Sequence, residues 1–305
     1  GGAGTVCFLV GVGYFTHDAF RLDQCFMRDY DDEGPMLAFL AERFADAKTL
    51  VSYNGKSFDL PLLRTRFIQN RLPCRLDAMM HFDLVHASRR LFKRRLRDCS
   101  LGNVERHVLA LERHGDVNSA LISQLWLDYL RTRDARRLDA VFYHHKTDIL
   151  SLAALTGRLS QLLTQGGGEG FEHHEDRLSL VRLHFSQKHY DDVLDLANQL
   201  ITTLSDDHLR WECWEMLAFA AKRREQWEDM EHAFESLIAE CPRHLTARHE
   251  LAKHYEHRRR DLRLAHEMCA ATLQLIGPAH EGAADFRVRR DRLERKLAKT
   301  PLVDL

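Results

Sequence analysis

The sequence predicts an α/β domain followed by an all-α helical-repeat domain, and three observations carry that prediction. Over residues 5–70, short β-branched and aromatic runs alternate with helical patterns, the order of an α/β layer. A glycine-rich stretch, GGGEG at 166–170, then interrupts the chain. Beyond it, helix-forming segments recur with a period in the mid-thirties, which suits helical hairpins of the tetratricopeptide kind. The boundaries read as a first domain over 1–163, a linker over 164–174 and helical hairpins over 175–300.

Each element has its own signal. TVCFLVGVGYF (5–15) is β-branched and aromatic, with glycines that mark bends or close packing. FRLDQCFMR (20–28) alternates apolar and polar residues, so the two segments predict an antiparallel pair. Met36, Leu37, Phe39, Leu40 and Phe44 fall at helical spacing within 33–47. TLVSY (49–53) predicts a short strand, and a second helix follows over 58–70. From Leu76 to Leu163 the pattern is mostly helical, with Ser100 as a helix N-cap and a long amphipathic helix over 138–163. In the second domain, segments 189–201, 226–238 and 261–273 align as second helices of successive hairpins. Pro242 and Pro278, 36 residues apart, end two of them.

Composition excludes several classes. A net charge of −1 rules out a polycation, so nucleic-acid binding must come from local patches. Seven widely spaced cysteines with no CxxC argue against a disulfide framework or zinc knuckle, and for a reducing, cytoplasmic setting. No apolar run reaches the roughly 20 residues that span a bilayer, so no membrane partner is expected.

Three stretches carry chemistry. In LVSYNGKSFDLPLL (50–63), Asn54 and Asp59 lie where a strand passes into a helix, the place where ligands bind in open α/β sheets. Asp59 suits a hard cation such as Mg²⁺, and Asn54 a sugar or phosphate; the plainer reading has Asp59 capping the helix. In YHHKTDIL (143–150), His144 and Asp148 share one helix face. Asp148 adjoins a core-facing stripe, so its charge needs a partner. A metal would serve, with His144 taking a proton from water; His145, three residues before Asp148, is a rival base. In HASRRLFKRRLR (86–97), Arg89, Arg90, Lys93, Arg94, Arg95 and Arg97 surround Phe92 with no acid among them. That suits phosphate neutralisation beside a stacking or anchoring aromatic, or else simply a solvated face.

Taken together, NGKSFDLPLL resembles the second motif of the DEDD, or DnaQ-like, 3′–5′ exonucleases, and HHKTDILSLAAL their third. The closest likeness is to the YprB-type ribonuclease-H-like branch. It rests also on HFDLVH (81–86), RRLF (89–92), CSL (99–101), GDV (115–117) and DARRL (134–138). The resemblance covers residues 1–163. It implies a ribonuclease-H-like fold and a nuclease that holds two Mg²⁺ or Mn²⁺ ions on four acidic ligands. Asp59 and Asp148 would be the second- and third-motif ligands, and His144 the general base. Tyr143 is one residue out of register for that role. Lys56, with Asn54, Arg89, Arg90, Lys93, Arg94 and Arg95, would contact the nucleic acid, as single strands or 3′ ends. Tetratricopeptide-like tails also occur in this branch and imply a protein partner.

The branch's first motif, an Asp-x-Glu on the first strand, directly precedes GGAGT, and this sequence opens with those five residues. The expectation is therefore a chain lacking half the ligands and the first strand, with little activity by itself. A rival reading is a degenerate nuclease domain that binds nucleic acid through the basic segment and proteins through the repeats. A metalloprotein built on the 19 histidines is disfavoured, because no ligand spacing with cysteine or carboxylate is visible.

Overall fold

The β-branched run near the N-terminus forms strand β1 (Leu9–Phe15), paired antiparallel with β2 (Phe20–Phe26) from Leu9 opposite Phe26 to Phe15 opposite Phe20. The computed structural model describes residues 5–164, 170–277 and 279–299. Residues 165–169 of the expected linker, and Pro278, lie outside the described residues. The chain divides into two units, Gly1–Thr164 and Gln165–Leu305.

In the first unit, helix α1 (Glu33–Phe44) leads into β3 (Thr49–Ser52), and α2 (Asp59–Gln69) follows. Strand β4 (Met80–Asp83) pairs parallel with β3, placing Ser52 opposite Asp83. The helical reading of 76–163 misses this strand. Four residues are too few to display a period of two, and pairing with β3 fixes them, helped by Ser52 Oγ 2.7 Å from His81 Nε2. Among the described residues, no strand pairing links β1–β2 to β3–β4.

Helices α3 (Leu84–Leu96), α4 (Leu101–Val108), α5 (Ile122–Thr132) and α6 (Leu138–Thr164) complete the unit. Ser100 stands at the N-cap position of α4, but its hydroxyl donates to Asp98 Oδ2 at 2.6 Å and does not cap the backbone. The core gathers Met27, Met36, Leu37, Leu40, Phe44, Leu63, Phe67, Leu76, Met79 and Trp126. The Trp126 indole stacks on Phe8 and donates to the Met27 carbonyl, joining α5 to the sheet. Glu33 accepts from Arg66 Nε at 2.6 Å and ties α1 to α2.

Glycines in β1 set the position of α6. A Cβ on Gly11 would lie 2.0 Å from Ile149 Cδ1 and 2.5 Å from His145 Cε1; one on Gly13 would lie 2.7 Å from Ile149 Cγ2. Without side chains there, the helix face carrying His145 and Ile149 lies directly on the strand. The neighbouring stripe, His144 and Asp148, is thereby turned elsewhere.

The second unit is helical among its described residues: α7 (His174–Ser186), α8 (Tyr190–Ile201), α9 (Asp207–Arg223), α10 (Trp227–Glu240), α11 (Leu245–His254), α12 (Leu262–Ile276) and α13 (Ala283–Leu297). Each helix packs against the next, and a π-helical turn, Tyr255–Arg259, extends α11. Lys188, Glu225 and Arg260 have φ of 64°, 58° and 57°, at intervals of 37 and 35 residues. Each directly precedes the N-cap residue of α8, α10 or α12 (His189, Gln226 and Asp261). The same left-handed turn thus closes three successive hairpins. Among the described residues no helix is long and apolar enough to cross a membrane, and all seven cysteines are free.

Candidate functional site

The NGKS knot is a turn held from below by Asp83. Asn54 has φ 61°, a left-handed conformation that asparagine tolerates. A Cβ on Gly55 would lie 2.6 Å from Ser52 Oγ, so the turn closes only with glycine. The backbone N–H groups of Asn54 and Lys56 donate to the two carboxylate oxygens of Asp83 at 2.6 and 3.0 Å, and Val85 N–H donates to Oδ1 at 3.3 Å. Asp83 is 3% exposed. One buried carboxylate therefore fixes both the knot and the start of α3. Among the described residues, the side-chain amide of Asn54, which is half-buried, and the ammonium of the exposed Lys56 have no hydrogen-bond or ion-pair partner.

Asp59 is the first residue of α2, one past the N-cap Phe58, and places an acidic side chain in the first turn. Asp59 is exposed as a residue, but desolvation at its carboxyl and then the charge of Asp83 push its pKa upward. An accumulation of negative charge at this strand end favours a cation.

The other half of the site is built on α6 and the segment before α5. Left-handed backbone at Ala110 (φ 52°) and Gly115 (φ 70°) bends residues 109–118 so that Arg113 and Asp116 meet α6. Arg113 Nη2 donates to Asp148 Oδ1 at 2.5 Å, and its Nε donates to Glu105 Oε2 at 2.7 Å. His144 Nε2 is 3.5 Å from Asp148 Oδ2, and His144 Nδ1 is 2.8 Å from Asp116 Oδ1. Burial raises the Asp116 pKa less than hydrogen bonds from His144, Arg113 and Val117 N–H lower it, so Asp116 is a pure acceptor. His144 Nδ1 also lies 3.1 Å from Arg113 Nη1, so the imidazole sits between Asp116, Arg113 and Asp148. Asp148 itself is pushed upward, burial outweighing Arg113 and His144.

The partner that the Asp148 charge requires is thus a guanidinium. His145 points the other way: Gln24 Nε2 lies 2.9 Å from its Nδ1, and burial, then His144, lowers its pKa to about 4. Tyr143 is exposed.

The basic segment forms α3. Arg89, Arg90, Lys93 and Arg94 are exposed, and Arg95 is half-buried. Phe92 is 1% exposed, so it anchors the helix and is unavailable for stacking on a base.

The structure therefore brings His144 to Asp148, and Asp59 to Asp83. The oxygen donors fit a hard divalent ion in kind. In number they fall short, because no cluster of three metal-ligating side chains among the described residues includes Asp59 or Asp148. The cluster found there is His184, His189 and Asp192, in the second unit. It corrects the reading that the histidines show no ligand spacing: the three residues straddle a turn, where helical spacing does not apply. Sequence reasoning also missed Arg113 as a contributor to the site. Its only sequence signal, a charged residue two before the resembling GDV, was weak.

A sequence profile of the RNase_H superfamily matches residues 1–160. The uncharacterized protein YprB of Bacillus subtilis (strain 168) is 29% identical over 306 residues, a span covering 97% of this chain and 72% of that protein. No solved structure is significantly similar.

Proposed function

This chain belongs to the RNase_H superfamily through residues 1–160, and from that membership we propose a metal-dependent nuclease of the DnaQ-like 3′–5′ exonuclease type. The observation that supports the reading is the His144–Asp148 pair on one face of α6, with Asp116 orienting the imidazole. Two Mg²⁺ or Mn²⁺ ions would supply an activated water and stabilise the leaving oxygen of the phosphodiester. Asp59 and Asp148 would help to hold the ions, and His144 would accept the proton of the attacking water. Asn54 and Lys56, at the rim of the knot, and Arg89, Arg90, Lys93, Arg94 and Arg95 on α3 bind the phosphates of a single strand or 3′ end. The hairpins of the second unit, in tetratricopeptide-like array, offer a surface to a protein partner.

On this reading Asp59 and Asp148 are two of four carboxylates. The family's other two would come from an Asp-x-Glu strand, and hydrolysis would be weak without it. The test is Mg²⁺- or Mn²⁺-dependent release from 3′-labelled single strands by the chain, with and without that strand. Release that needs the strand and is lost in Asp59→Asn and Asp148→Asn supports the reading. No release with the strand present, or release indifferent to both substitutions, overturns it.

A second reading is favoured by Arg113, whose guanidinium already neutralises Asp148. The domain is then a nucleic-acid binder without hydrolysis. In that case Asp59→Asn and Asp148→Asn leave function in the cell intact, and neutralising the cations of α3 abolishes it.

A further inference from the structure

We propose that His184, His189 and Asp192 form a binding site for a zinc-type divalent transition-metal ion that clamps the first hairpin of the second unit. This site is separate from the proposed nuclease centre and does not rest on that reading.

The geometry comes first. His184 Nδ1 lies 3.4 Å from Asp192 Oδ2, and His189 Nδ1 lies 3.8 Å from the same oxygen. All three donor atoms fall within 4.8 Å of one another. Zinc–ligand bonds of about 2.0–2.2 Å at a tetrahedral centre separate the donors by roughly 3.3–3.6 Å. The cluster is therefore spaced close to what one ion requires.

Next, the donors have no better use. His184 Nδ1 is buried and, apart from the long contact with Asp192, makes no hydrogen bond among the described residues. A buried nitrogen left unpaired is costly, and such a group calls for an explanation such as an ion. Among the described residues, Asp192 pairs only with the two histidines, while its neighbour Asp191 is already taken by Arg224 at 2.8 Å.

Finally, the scaffold is rigid. His189 N–H donates to the His184 carbonyl at 3.0 Å, and Lys188 N–H to the Phe185 carbonyl at 3.1 Å. Val193 N–H donates to the His189 carbonyl at 3.2 Å, which fixes the first turn of α8. The two histidines are thus held by the left-handed turn at Lys188, so binding orders little new backbone. Two imidazoles with one carboxylate favour zinc, cobalt or nickel over Mg²⁺ or Ca²⁺. Exposure of His189 and Asp192 leaves a coordination position for water.

The test is a Co²⁺ titration of the tag-free, metal-stripped full chain, followed by displacement with Zn²⁺. Expected is one Co²⁺ with the visible absorption of a tetrahedral centre, and an affinity about tenfold or more weaker in His189→Ala and Asp192→Asn. Zn²⁺ raises the melting temperature of the wild type and not of the two variants. Both substitutions are at exposed positions, and circular dichroism verifies their fold. Asp59→Asn and Asp148→Asn leave the signal unchanged, which separates this site from the nuclease centre. Absence of the absorption in the wild type, or its persistence in both variants, overturns the proposal.

Discussion

Arg113 reaches Asp148 across thirty-five residues of sequence and donates to it at 2.5 Å, while the same guanidinium holds Glu105, which is 1% exposed. Removing the cation leaves a buried carboxylate unpaired, a loss that typically costs about 3–5 kcal/mol. Arg113→Met is expected to lower the stability of the first unit by that order. Arg113→Lys keeps the charge but not the fork, and loses less. Amide hydrogen exchange in α4 and α6 of the full chain reads the effect on this unit alone. Protection in Arg113→Met equal to wild type would show that the guanidinium is incidental.

This pair also marks the limit of what sequence reveals. His144 and Asp148 were legible because one helix carries both, and helical period alone puts them together. The need of Asp148 for a partner was legible too, from the apolar run beside it. The identity of that partner was not, because Arg113 lies in an irregular segment whose path depends on left-handed turns at Ala110 and Gly115. Strand β4 was hidden for a related reason. Its four residues carry no period of their own and are strand only because β3 lies alongside. The left-handed turn repeated at Lys188, Glu225 and Arg260 is sharper in structure than in sequence, since three different residue types occupy it.

The close approach of β1 and α6 predicts a steric coupling. A methyl on Gly11 meets the tip of Ile149 and the edge of His145, whose ring is held by Gln24. Gly11→Ala is expected to cost about 1–3 kcal/mol, the usual range for overpacking. Ile149→Ala, made in the Gly11→Ala background, then costs less than it does alone, because the smaller side chain relieves the clash. A double-mutant cycle by denaturant unfolding measures the coupling. Strict additivity would mean that α6 shifts freely away from the strand.

The exposed cations of α3 predict a salt dependence. Arg89, Arg90 and Lys93 lie at helical spacing on one exposed stripe. If each neutralises one phosphate, replacing all three by Gln flattens the log–log salt slope of single-strand binding by about 2, at about 0.7 per contact. Phe92→Leu leaves that slope unchanged, since the ring is buried. Fluorescence anisotropy at several salt concentrations gives the slopes. An unchanged slope in the triple variant would remove α3 from the interface.

The second unit predicts a dependence on pH. Glu256, 1% exposed in its side chain, accepts from Arg289 Nη1 at 2.6 Å and from Lys296 Nζ at 2.7 Å, and pairs with Arg292. Burial raises its pKa, but the bonds from Lys296 and Arg292 outweigh it and leave the carboxyl below its ordinary value. A group lowered on folding contributes stability that is complete above its unfolded pKa, near 4.3 for glutamate. That contribution disappears as the pH falls below this value and through the depressed folded pKa. Melting temperatures of the second unit should therefore drop on acidification through that window. In Glu256→Gln the drop is shallower, and stability is lower at neutral pH because Arg289 loses its partner. Parallel pH profiles for the two proteins would mean that the cations of α13 are satisfied by solvent, and that Glu256 does not hold the helix to the π-helical turn.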